Sequence, residues 1–180
     1  MALSSTVYNF DIDLSDSDRG VYETLSLRLA RHPSESEDYL VARVLAYCLE
    51  YAEGIAFSKG LCAPDEPAIL VRDLTGRLQA WIEIGAPDAA RLHKASKHSP
   101  RVAVYVHKDP TQWLRALQRE RIHRADALEI YVLNRGLVAA LVARLDRRMA
   151  FGLSVHEGEV LVAFDDQTVS GSVRRCVLDD

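Results

Sequence analysis

Glu83 stands in the middle of Gln79-Ala80-Trp81-Ile82-Glu83-Ile84-Gly85, a segment that alternates by face as a half-buried strand does. Ala80, Ile82 and Ile84 point one way; Trp81, Glu83 and Gly85 point the other. A carboxylate in mid-strand is costly to desolvate unless something positive pairs with it. Eighteen residues upstream is a second acidic pair, in Pro64-Asp65-Glu66-Pro67. Two acidic groups brought together across neighbouring strands make a hard oxygen site suited to a magnesium ion. A salt bridge from Glu83 to an arginine is the other reading of the same residue.

The elements that must position these groups are legible from spacing. Residues 5–14 and 21–31 alternate and predict an opening β-hairpin around the polar turn Ser15–Gly20. Ser34 with Glu37 fits a capping box for a helix over about 35–53, which carries Leu40, Val44, Tyr47, Cys48 and Tyr51 at helical spacing and stops at Gly54. A short strand is expected within 55–62. A second hairpin joins 68–72 to 78–85 around Asp73-Leu74-Thr75-Gly76. Asp88 is a good N-cap for a helix through about His98. A buried strand (101–107), a helix (111–120), a strand (127–133), a helix (137–144) and a β-rich tail (149–175) complete the chain. This is a mixed α/β pattern, a central sheet flanked by helices, in one domain over 1–180.

Other candidates for chemistry are weaker. Cys48, Cys62 and Cys176 lack metal-type spacing and are expected as reduced thiols, Cys48 on an apolar helix face. The six histidines have no ligand spacing, no glycine-rich phosphate loop occurs, and no serine sits in a nucleophile elbow. Glu50 is expected as a surface carboxylate of the first long helix. Arg31 and Glu35 are expected to pair or to anchor the strand-to-helix turn. Arg115, Arg119, Arg121, His123 and Arg124 form a basic run that could touch phosphates or simply be solvated. The net charge of −4 disfavours tight nonspecific nucleic-acid binding, although a local basic patch can overcome an acidic total. No apolar run approaches the ~20 residues of a membrane span, and residues 1–5 lack the basic start of a signal peptide, which predicts a cytoplasmic chain.

Four segments in order carry a family resemblance: Leu29-Ala30-Arg31-His32-Pro33-Ser34-Glu35, Phe57-Ser58-Lys59-Gly60-Leu61-Cys62, Asp65-Glu66-Pro67, and Trp81-Ile82-Glu83-Ile84-Gly85-Ala86-Pro87-Asp88. With Arg91, Lys94, Ala95 and Trp113 they make the chain resemble the YaeQ family. The resemblance implies a fold similar to the PD-(D/E)XK nucleases, whose core order is helix, three strands, helix, strand. It implies a magnesium- or manganese-dependent site, with Asp65 or Glu66 and then Glu83 as metal carboxylates, acting on DNA or RNA. Two departures are visible. Ala68, not Asp, follows Pro67, and Gly85 stands where a lysine two residues after Glu83 would be. Arg91, Lys94 and His98 share one face of the next helix, so Lys94 is expected to reach back toward Glu83 in the missing lysine's place. The alternative is a catalytically inactive nuclease-like fold that serves as a binding or regulatory module, perhaps in transcription.

Overall fold

The computed structural model describes residues 4–58 and 65–178. It is a mixed α/β chain, and its contacts divide it into two compact units: residues 1–51 with 134–173, and residues 52–133 with 174–180. Each unit is built on strands.

The first unit opens with the expected hairpin, β1 (Thr6–Asp16) and β2 (Val21–Arg31). Tyr8, Phe10, Ile12 and Leu14 of β1 and Leu25, Leu27 and Leu29 of β2 are buried, while the residues between them face water. This period of two lets one face of the sheet carry a core. Helix α1 (Glu37–Glu50) follows. In this unit β1 pairs antiparallel with β2 and parallel with β8 (Arg148–His156), which continues antiparallel through β9 (Glu159–Ala163) into β10 (Thr168–Cys176). Helix α4 (Arg135–Ala143), capped by Asn134 onto the Leu137 amide, packs against α1.

Three expectations need correction here. The N-cap of α1 is Ser36, whose hydroxyl accepts from the Tyr39 amide, whereas Ser34 bonds to His32 Nδ1 at 2.6 Å. The helix starts later because Glu35 is drawn inward: its carboxylate lies 2.7 Å from the Arg43 guanidinium, with both side chains buried. Arg31 anchors the strand-to-helix turn, as one of the two readings had it, by donating to the Glu35 carbonyl at 2.9 Å. Glu50 is not a surface carboxylate. It is buried, because α1 hides nearly every side, Leu40 through Ala46 and Cys48 included. Third, Gly54 lies beyond the C-cap, Tyr51. With φ +88° it brings the chain so close to Arg72 that an added Cβ would sit 1.8 Å from the Arg72 carbonyl oxygen.

One arginine fastens the hairpin turn to the end of α1. Arg19 donates to the buried Asp16 carboxylate at 2.8 Å, to the Tyr51 carbonyl at 2.9 Å and to the Cys48 carbonyl at 3.2 Å. The last turn of α1 has no basic residue of its own, so Arg19 supplies the positive charge that a helix C-terminus favours. Cys48 itself is fully buried, and burial pushes its thiol up to about 12. The thiolate is the reactive form. Iodoacetamide at neutral pH is therefore expected to leave Cys48 unmodified in the folded protein and to label it in denaturant. Mass spectrometry showing rapid labelling of folded Cys48 would contradict this burial. Cys62 lies outside the described residues.

The second unit contains β3 (Ile55–Phe57), β4 (Ile69–Arg72), β5 (Leu78–Ile84), β6 (Val102–Val106) and β7 (Glu129–Leu133). Their order in the sheet is β3-β4-β5-β6-β7. The first two pairings are antiparallel and the last two parallel. Helix α2 (Ala89–His98) connects β5 to β6, and α3 (Thr111–Leu117) leads toward β7. Leu92 and Ala95 of α2, Val102, Val104 and Val106 of β6, and Trp81 of β5 share one core cluster. Strand β5 is not half-buried as its alternation suggests: Ala80 through Ile84 are all buried. It is an inner strand with neighbours on both edges, and both of its faces are covered. The chain order α1, β3, β4, β5, α2, β6 matches the helix, three strands, helix, strand pattern read from the sequence.

Candidate functional site

Glu83 lies on the buried strand β5 with its side chain 5% exposed. Trp81, two residues earlier and so on the same face, donates its indole N–H to Glu83 Oε1 at 2.6 Å. Arg91 donates from Nε to the same oxygen at 2.7 Å. Arg91 is brought there by the sharp turn at Gly85 and by Asp88, whose carboxylate caps α2 through the Arg91 amide at 2.8 Å. The Arg91 guanidinium also donates to the Glu66 carbonyl at 2.6 Å. Glu66 thus approaches through its backbone. Burial pushes the Glu83 carboxyl above the ordinary carboxylate range, outweighing the downward pull of Trp81 and Arg91.

Lys94, one turn along α2, pairs with the exposed Asp65 carboxylate instead of reaching Glu83. The Lys94 ammonium holds the Asp65 carboxyl below its usual range. The expected helix face is real, since Arg91 and Lys94 both turn toward 65–66, but it clasps that segment as a set of ion pairs and hydrogen bonds.

The register explains why, among the described residues, no carboxylate stands across the strand pair from Glu83. Ile69 pairs with Ile82 and Leu70 with Trp81, so the same antiparallel register carried one step further sets Ala68 against Glu83. Residues opposed in this way have Cβ atoms about 4.5–5.5 Å apart. Ala68 is buried and brings no charge. Gly85 closes the strand at φ +91°, a left-handed conformation that costs a side-chain-bearing residue about 1–2 kcal/mol. A lysine at this position is thus disfavoured by the backbone conformation. As arranged, these side chains do not fit a divalent ion: a guanidinium occupies the inner carboxylate, and among the described residues no three His, Cys, Asp or Glu side chains converge as a metal site.

Of the two sequence readings of Glu83, the salt bridge to an arginine is the one present; the sequence placed Arg91 on the right face but did not single it out as that arginine. The available signals were the Trp81/Glu83 spacing of two on one strand face and the N-cap at Asp88, which orients the first turn of α2 back over β5.

Fold and site together define a mixed α/β protein with a buried, internally neutralised carboxylate on an inner strand. The model of the family described as YaeQ protein matches residues 1–173, and the chain belongs to that family. It is 33% identical over 168 residues to the YaeQ protein of Escherichia coli (strain K12), itself uncharacterised, covering 92% of each chain. The YaeQ protein of Salmonella typhi is 32% identical, with 89% of each chain covered. The crystal structure of the YaeQ protein from Xanthomonas axonopodis pv. citri superposes with a TM-score of 0.86 at 32% identity, over 97% of this chain and 99% of that one. That of the Pseudomonas syringae protein gives the same TM-score and identity over 95% of each. Among the described residues no helix is long and apolar enough to cross a membrane.

Proposed function

We propose that this chain is a nuclease-like fold that binds nucleic acid without hydrolysing it. The observation that carries the reading is the Glu83 pair. The carboxylate that the resemblance assigns to a metal ion is neutralised by Arg91, and the position facing it is Ala68. Within the second unit, the order β3, β4, β5, α2, β6 follows the three-strand, helix, strand part of that resemblance. The hydrolytic reading, with magnesium on Asp65 or Glu66 and Glu83, requires Arg91 to leave its pair and Lys94 to leave Asp65.

A binding role needs cations that are not already spent. The segment after α3 is fastened to α2: the His123 amide donates to His93 Nδ1 at 3.0 Å, Ser96 Oγ donates to the His123 carbonyl at 2.5 Å, and Arg124 donates to the Ser96 and Ser99 carbonyls. Arg124 is therefore structural. Arg115, Arg119 and Arg121 are exposed, as is Lys97 of α2, and no side chain of the four has a hydrogen bond or ion pair to another described residue. Such cations contact phosphates irrespective of base sequence.

The test is fluorescence anisotropy with single- and double-stranded DNA and RNA 20-mers at rising salt, alongside gels for cleavage with magnesium or manganese. Binding that weakens with salt is expected. Arg119→Ala and Arg121→Ala should each reduce the slope of log K against log salt by roughly 1. Metal-dependent cleavage would overturn the non-hydrolytic part, and absence of binding at low salt would overturn the whole.

A further inference from the structure

The geometry points to a second anion site, in the first unit, that takes a small hydroxylated phosphate monoester such as a sugar phosphate. It lies on the solvent face of the β2-β1-β8 sheet, far along the chain from the Glu83 residues, and does not rest on the nucleic-acid reading. Register sets Asn9 opposite Arg28 on one side and opposite Arg148 on the other, so Arg28, Asn9 and Arg148 form a row across three adjacent strands. All three are exposed, and none has a side-chain hydrogen bond or ion pair to another described residue. With Asp11, Ser26 and Leu27 they line a cleft of about 310 Å³, the lower end of the range for small-molecule sites.

Two strand spacings separate the arginine backbones by roughly 10 Å, a gap that arginine side chains can close on from both sides. Guanidinium groups match the oxygens of phosphate in pairs, and the Asn9 amide adds a donor between them. The next row selects what the phosphate is attached to. Asp11 faces Ser26, whose hydroxyl donates to Asp11 Oδ1 at 2.9 Å, which leaves Oδ2 to accept. Two residues along β1 is about 6.6 Å, a separation suited to a hydroxyl farther along a phosphorylated sugar. The row after that repeats the acid: Thr24 donates to Asp13 at 3.2 Å. A polyanion laid along β1 would cross both carboxylates, so the face favours one phosphate followed by hydroxyls over a nucleic-acid strand.

The experiment is a 15N–1H NMR titration of the full chain with ribose 5-phosphate, inorganic phosphate, ribose and a single-stranded DNA 16-mer. Ribose 5-phosphate at millimolar concentration is expected to shift the amides of Asn9, Arg28 and Arg148. Arg28→Ala and Arg148→Ala should each weaken it by at least about tenfold, while Arg28→Lys, which keeps the charge, recovers part of the loss. Asp11→Asn should weaken ribose 5-phosphate without weakening inorganic phosphate. No shift in the wild type, equal affinity in the arginine variants, unchanged ribose 5-phosphate affinity in Asp11→Asn, or saturation of these amides by the DNA alone would each overturn the assignment.

Discussion

Arg91→Ala is expected to destabilise the protein by about 3–5 kcal/mol, or roughly 6–20 °C in Tm for a chain of this size. The size follows from what is left behind. Glu83 is 5% exposed in the intact pair and would keep the Trp81 indole as a donor, whereas Arg91 is 29% exposed and reaches water. Removing the partner from the buried member is therefore far worse than the converse. Glu83→Gln, which keeps an acceptor for both donors, should remain within about 1 kcal/mol of wild type. The pH dependence has a fixed sign. The folded pKa of Glu83 lies above its unfolded value because of burial, so its stabilising share is complete below about pH 4.3 and is lost as pH rises through the folded value. Losing Arg91 raises that value further. The gap between variant and wild type should thus narrow from neutrality toward about pH 5. Thermal melts across that range decide the matter: similar melting of Arg91→Ala and wild type, or a gap that widens in acid, would show that the pair does not hold the site.

The double variant Ala68→Asp/Arg91→Ala should be the least stable form without metal and the one most rescued by it. It places two buried carboxylates across a strand pair with no cation between them. Manganese present at a hundred times its dissociation constant would return about 2.7 kcal/mol, while the wild type, already neutralised by Arg91, should not respond. A wild type raised by manganese as strongly as the double variant would sink the non-hydrolytic reading. A double variant indifferent to manganese would mean that Ala68 does not face Glu83.

Much of this architecture was legible in the residues. The alternation of Tyr8, Phe10, Ile12 and Leu14 against Leu25, Leu27 and Leu29 gave the hairpin, and Asp88 gave the start of α2, because both signals are local. The start of α1 was misread because the Ser34/Glu37 spacing fits a capping box, whereas the shift of the cap to Ser36 goes with Glu35 reaching Arg43, a tertiary contact. The burial of Glu50 and of both faces of β5 from Ala80 to Ile84 escaped for the same reason: periodicity tells which side a residue is on, not whether that side is covered. At the site, the departures at Ala68 and Gly85 were plain. Which cation would answer Glu83 was not, since Arg91, Lys94 and His98 share one face and only the placement of Asp65 and Glu66 divides the first two between partners.

The pairing of Glu83 with Arg91 opposite Ala68 also has a historical consequence. The pocket now sums to zero charge. Introducing Asp at position 68 alone, or losing Arg91 alone, leaves it one negative charge in excess beside a carboxylate that is only 5% exposed. Each single step is therefore deleterious by itself, and only the pair together with a divalent ion regains balance. Such sign epistasis would separate the present arrangement from any metal-binding one by an unstable intermediate. Relatives are accordingly expected to carry either an acid at the Ala68 position or an arginine in the Arg91 pair, with few sequences in between.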